Sequence, residues 1–237
     1  MRLDKFICKS TELTRTEAKK LLKKGMVRVN GEVIKDPSTQ VHENNAITLD
    51  NGASEQMLSA RSSRYIMMHK PAETICSNVD EVYPSLLHYI DLDKAFDLHI
   101  AGRLDADTTG LVLITDDGRW SHNIISPKKD CPKTYRVQLR DEITNDKQDA
   151  LITQFSQGIQ LQGEKDLTKP AILKIITSNE ALLTITEGKY HQVKRMFAAV
   201  GNKVVGLHRQ QIGSIKLDEK LSAGQWRFLT DDEIQSI

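Results

Sequence analysis

Cysteine is scarce in this chain, and its placement excludes two kinds of framework at once. Cys8, Cys76 and Cys131 are odd in number and far apart, with no CxxC pair, so neither a disulfide scaffold nor a zinc site is expected. Long apolar runs are also missing. None approaches the roughly 18 residues of a membrane span, and the opening MRLDKFICKS has no signal-peptide core. The expected home is a reduced cytoplasm, with no membrane partner. There is no glycine-rich phosphate loop, dinucleotide fingerprint or cluster of metal ligands. His69, His88, His99, His122 and His208 are scattered and read as structural or surface residues. No cofactor or metal is therefore expected. Trp120 and Trp226 read as core packing.

What is present is unevenly distributed. The 237 residues are 39% hydrophobic and 27% charged, enough to bury a real core. Net charge is only +1, yet residues 1–40 carry ten Lys or Arg against five acidic residues, a local +5 that leaves −4 for the remainder. Such asymmetry suggests a basic module for a polyanion, attached to a near-neutral body.

The basic segment has legible elements. Leu3, Phe6 and Ile7 stand at i, i+3, i+4 spacing and predict a short helix. Thr14-Arg15-Thr16-Glu17 has capping-box form, Ala18, Leu21 and Leu22 supply the following apolar stripe, and Gly25 is a stop. Val27 to Val33 alternates around Asn30-Gly31, a hairpin signal, and Ala46 to Leu49 adds a strand. Two helices on a small sheet would present Arg15, Lys19, Lys20, Lys23, Lys24 and Arg28 to phosphates. From Arg15 to Gly31 the pattern resembles the small α/β RNA-binding domain named after ribosomal protein S-four, here residues 1–50. Residues 51–63 (NGASEQMLSARSS) are polar and small and read as a linker.

Residues 64–237 mix strands and helices without the regular alternation of a doubly wound sheet. Strands are expected at Arg64 to Met68, Leu111 to Thr115, Lys133 to Leu139, Ala171 to Thr177 and Ala181 to Thr186, and helices at Asp146 to Phe155 and Tyr190 to Val200. The class is α+β, around a mainly antiparallel or mixed sheet in two halves joined near Ser126-Pro127.

The most informative stretch is AGRLDADTTG, residues 101–110, which runs straight into the apolar Leu111-Val112-Leu113-Ile114-Thr115. It places a carboxylate, Asp105, two residues after Arg103 in a Gly-bounded loop feeding a buried strand, a typical position for a catalytic group. An aspartate in such a loop otherwise caps a turn. Asp107, two residues on, would diverge from Asp105 in a helix or strand and reads as a turn residue. Two further segments follow in order, Lys133-Thr134-Tyr135-Arg136-Val137 and EGKYHQVKRM from Glu187. Together the three resemble the motifs of the pseudouridine synthases.

That resemblance implies isomerisation of a uridine in RNA, with no redox step and no cofactor. Asp105 becomes the essential carboxylate, attacking ribose C1′ or removing a proton from C2′. Arg103 is implied to enter the RNA in place of the flipped base. Tyr135, by alternation a core residue beside Val137 and Leu139, is implied to pack on the base and is a candidate for the C5 base. Lys194 takes the place of the cation that pairs with the aspartate, where many relatives have arginine. Lys189, His191, Gln192 and Arg195 are expected RNA contacts. The segments AGRLDADTTGLVLITDDG and EGKYHQVKRMFAAVGNKVVGLHR resemble the branch acting on 16S (small-subunit) ribosomal RNA, with an assembly intermediate as the expected partner and a monomer as the expected state. The alternatives are a large-subunit paralogue, a non-catalytic RNA-binding or ribosome assembly factor, and a glycosidic hydrolase using Asp105 and Asp107.

Overall fold

Apolar spacing and capping build the first elements as expected. The computed structural model describes residues 1–42, 44–52 and 54–237, which divide into two units, Met1–Ser62 and Ser63–Ile237. In the first unit, helices α1 (Leu3–Ser10) and α2 (Arg15–Lys23) bury Leu3, Phe6, Ile7, Ala18 and Leu22, each large side chain contributing roughly 1.5–3 kcal/mol. Thr14 accepts from the Glu17 amide at 3.3 Å, and Glu17 accepts from the Thr14 amide at 2.8 Å. This closes the capping box. Strands β1 (Val27–Val29), β2 (Glu32–Val33), β3 (Ile47–Asp50) and β4 (Glu55–Met57) form an antiparallel sheet ordered β2-β1-β3-β4. Asn30 and Gly31 turn the first hairpin with φ of 51° and 86°, the left-handed pair such a two-residue turn requires.

Strand β4 corrects the linker reading. It pairs with β3, and Leu58 beside it is buried in the same core. As an edge strand exposed on both faces, it needs no apolar alternation, so its composition imitates a linker. Arg15, Lys19, Lys20, Lys23, Lys24 and Arg28 are all exposed. Arg28 is partly engaged, 3.5 Å from Glu55 and donating to the Gly31 carbonyl.

The second unit contains β5 (Tyr65–Lys70), β6 (His99–Ala101), β7 (Thr109–Thr115), α3 (Gly118–Ile125), β8 (Lys133–Leu139), α4 (Asn145–Gln157), β9 (Ile172–Thr177), β10 (Glu180–Ile185), α5 (Gln192–Ala199), β11 (Val204–Ile212), β12 (Ile215–Lys216), β13 (Trp226–Phe228) and α6 (Asp231–Gln235). Its nine strands form one mixed sheet ordered β13-β5-β7-β11-β8-β10-β9, with β6 on β7 and β12 on β11. Every pairing is antiparallel except β7 with β11, where only Thr109 opposite His208 and Gly110 opposite Arg209 join the halves. The chain crosses between the halves through α3 and the turn at Pro127.

Strand β7 is covered on both faces, so Leu111, Val112, Leu113 and Ile114 are all fully buried, as a continuous apolar run demands. On one face Val112, Ile114, Val137 and Leu183 share a core with Phe155 of α4 and Val193, Met196 and Phe197 of α5. On the other, Leu111 and Leu113 pack with Trp120 and Ile124 of α3. Trp120 also donates to the Ile234 carbonyl at 2.9 Å, and Trp226 packs partly buried against the first of these cores. Both tryptophans therefore serve packing. Among the described residues, no helix is long and apolar enough to cross a membrane.

Candidate active site

The site begins with a loop forced into shape from beneath. Residues 102–108 run from Gly102 (φ 92°) toward Gly110 (φ 106°), and two buried cations brace them. Lys70, fully buried at the end of β5, donates to the carbonyls of Pro71 (3.0 Å), Ala106 (3.2 Å) and Thr108 (2.9 Å). Burial pushes its ammonium below the ordinary lysine range, against the opposing pull of Cys76, Asp107 and Asp105. Arg209 of β11, also buried, donates to the carbonyls of Leu111 (2.8 Å) and Gly102 (2.9 Å). Each donor satisfies a carbonyl that would otherwise be lost to water inside the fold.

Held in this way, the loop carries Asp105 to the wall of a cavity of about 700 Å³, within the size range of pockets that enclose a whole small ligand. Its lining includes residues 102–106, Tyr135 on β8, and residues 185–194. Lys194 Nζ lies 3.0 Å from Asp105 Oδ2, and His191 Nε2 lies 3.4 Å from Asp105 Oδ1. Tyr135 is buried on the face of Val137 and Leu139. Its hydroxyl is 3.5 Å from an Arg209 guanidinium nitrogen, and that guanidinium carbon lies 5.9 Å from the ring centroid. Arg103 is exposed and also lines the cavity.

Asp107 lies in a turn, as expected, but its side chain also joins the site. The segment is neither helix nor strand, so side chains two apart converge: Lys194 Nζ is 2.7 and 2.9 Å from the Asp107 carboxylate oxygens. Burial pushes the Asp107 carboxyl up, but the hydrogen bond and charge of Lys194 outweigh it and hold it below the usual range. Conversely, burial pulls the Lys194 ammonium down, and the two carboxylates more than offset this and raise it.

The third segment divides. Helix α5 starts two residues later than its apolar pattern suggests, because His191 sits in the left-handed region at φ 47°. Lys194 and His191 face Asp105. Gln192 is buried between the Glu187 carboxylate and the Lys189 amide, both at 2.8 Å, so it holds the loop. Arg195, expected at a phosphate or in solvent, instead binds Glu164 (3.2 Å) and the carbonyls of Tyr190 (3.1 Å) and Gln162 (2.7 Å). Lys189 pairs with the same Glu164 at 2.9 Å. Lys70, Arg209, Glu164 and Glu187 were not expected at the site. The only sequence signals were a lysine closing an apolar strand and an arginine in step with Leu207. Among the described residues, no three His, Cys, Asp or Glu converge as a metal site.

The family model described as RNA pseudouridylate synthase matches residues 64–199, a span that contains Asp105, Tyr135 and Lys194. The chain belongs to the RNA pseudouridylate synthase family. A second family model, the S4 domain, matches residues 1–47 of this synthase. Similar proteins named ribosomal small subunit pseudouridine synthase A occur in Vibrio cholerae (51% identical, 100% of this chain and 99% of that protein), Salmonella typhimurium (48%, 100% of each) and Escherichia coli (46%, 100% of each). A crystal structure of a pseudouridylate synthase is 47% identical to this synthase with a TM-score of 0.70, covering 100% of this chain and 99% of that one.

Proposed function

We propose that this synthase isomerises one uridine of small-subunit ribosomal RNA to pseudouridine, with Asp105 as its essential carboxylate. The observation that carries the reading is the placement of Asp105 on the wall of a cavity that Tyr135 also lines, between two basic groups. The names of the similar proteins supply the choice of RNA.

The reaction breaks the N1–C1′ bond, turns the base, joins C5 to C1′, and moves the C5 hydrogen off carbon while N1 gains one. No atom or electron is gained overall. Asp105 acts as an ionised carboxylate, either on C1′ or on the C2′ proton, and Lys194 keeps that charge beside the ribose. The extruded base packs against Tyr135, which as a phenolate beside the Arg209 guanidinium would take the C5 proton. Arg103, exposed at the cavity, fills the space the base leaves. Hydrolytic chemistry by the carboxylate pair would need one of the two protonated as a general acid, and both lie within 3.0 Å of the Lys194 ammonium, which favours their ionised forms. The exposed lysines of α2 supply salt-dependent contacts to phosphate. The substrate is an assembly intermediate in the cytoplasm, and the enzyme acts as a monomer.

Tritium release from C5-tritiated uridine RNA tests this directly, with the two ribosomal RNAs assayed separately. Release from the small-subunit RNA alone is expected, falling at least about a thousandfold in Asp105→Asn with RNA binding retained. Release from large-subunit RNA, or equal release by the variant, would refute it. Removing residues 1–62 is expected to weaken RNA binding and flatten its salt dependence while leaving the circular dichroism of the remaining unit folded. A truncated protein with an unchanged salt slope would take the first unit out of RNA binding.

A further inference from the structure

Tyr190 is an anomaly of packing. It is 77% exposed, and its hydroxyl has no hydrogen-bond partner among the described residues, yet the backbone around it is held on all sides. Its carbonyl accepts from Arg195 at 3.1 Å, the preceding amide donates to Gln192 at 2.8 Å, and the preceding side chain pairs with Glu164 at 2.9 Å. His191 follows in a left-handed conformation, which a residue with a Cβ adopts only at some cost. That conformation turns the imidazole toward Asp105 and lays it against the Tyr190 ring, with centroids 3.8 Å apart and planes 23° from parallel. The result is a two-ring stack at the wall of the Asp105 cavity, its outer ring open to solvent.

We propose that the Tyr190–His191 stack is a platform that seats the base of a nucleotide flanking the target uridine. The inference rests on the reading that the cavity receives a uridine of RNA. An exposed ring adds little to folding, so the rigidity spent on it serves a ligand. Both rings line the cavity together with Asp105 and Arg103, so the chain that delivers a uridine passes beside them. Every base has a π-face, and base–aromatic stacking tolerates any sequence. The platform therefore contributes affinity for the strand and not chemistry at C1′. Tyr190 is a binding residue, and His191 positions it.

The test uses full-length protein and tritium-release kinetics on small-subunit RNA, with Tyr190→Ala, Tyr190→Phe and Tyr190→Trp beside wild type. Tyr190→Ala is expected to raise KM about 5- to 100-fold, the size of one lost stack, with kcat within about twofold and an unchanged urea midpoint. The Phe and Trp variants should restore KM. In a short substrate, an abasic residue at one position next to the uridine should reproduce the defect in wild type and add nothing in Tyr190→Ala. Wild-type release with an unchanged KM in Tyr190→Ala overturns the platform alone. So does a loss confined to kcat, which would route the effect through His191 and Asp105. No release by wild type overturns the parent reading and this one with it.

Discussion

Lys194→Met is expected to lower kcat by about two to three orders of magnitude, the usual cost of removing one preorganised charge partner at a reacting centre, with KM nearly unchanged. Lys194 Nζ bridges Asp105 at 3.0 Å and Asp107 at 2.7 Å. Without it, two carboxylates that both lay within 3.0 Å of one nitrogen face each other with no cation between them. One then keeps its proton to higher pH, so the acid limb of the pH–rate profile should move upward. Folding should barely change. Asp107, its carboxyl depressed, contributes stability above the ordinary carboxylate range that is lost as pH falls through its lowered value. Lys194, its ammonium raised, contributes below the ordinary lysine range, and this is lost as pH climbs through the raised value. Since the Asp107 side chain is 73% exposed, solvent screening leaves the pair worth under about 1 kcal/mol. Lys194→Arg keeps the charge and should retain most activity. A methionine variant within threefold of wild-type kcat would remove Lys194 from the mechanism.

The contrast between what was and was not legible follows from the range of the forces involved. Helices α1 and α2, the Asn30-Gly31 hairpin and the apolar stripe of α5 are local, so spacing and capping predict them. Asp105, Tyr135 and Lys194 stand in three segments whose order carries the resemblance, and the fold brings all three to one cavity. Strand β4 was illegible because an exposed edge needs no apolar alternation. Arg195 lies about 200° around α5 from Val193 and so reads as outward, yet the 158–168 loop returns to meet it through Glu164 and Gln162. Helical phase says which way a side chain points, but not which distant loop will be there. Lys70 and Arg209 are the harder lesson. A buried cation is satisfied by backbone carbonyls, and carbonyls leave no trace in residue identity.

That same architecture makes Gly110 a sensitive position in the second unit. It pairs with Arg209 at the two-residue parallel joint between the halves of the sheet. A Cβ there would overlap the Arg209 carbonyl oxygen and come within 2.7 Å of its amide nitrogen, at a φ of 106° that L-residues rarely adopt. The Arg209 backbone is restrained from yielding. Its guanidinium is tied to Leu111 and Gly102, and its strand pairs with β8 on the far side. Gly110→Ala is therefore expected to destabilise the unit by about 4 kcal/mol or more, at the extreme of single substitutions and a large part of a typical domain's 5–15 kcal/mol. Gly163→Ala is the control. Its φ is 79° but nothing lies within 4 Å of the added carbon, so conformational strain alone should cost about 1–2 kcal/mol. Both tryptophans, Trp120 and Trp226, belong to this unit, so urea unfolding followed by tryptophan fluorescence reports on it without the first unit's transition. Splaying the joint would also part Gly102 and the Asp105 loop from Tyr135, which Arg209 links, so kcat should fall in whatever Gly110→Ala remains folded. Equal urea midpoints for the two variants would show instead that the halves slide freely and that Arg209 does not clamp them.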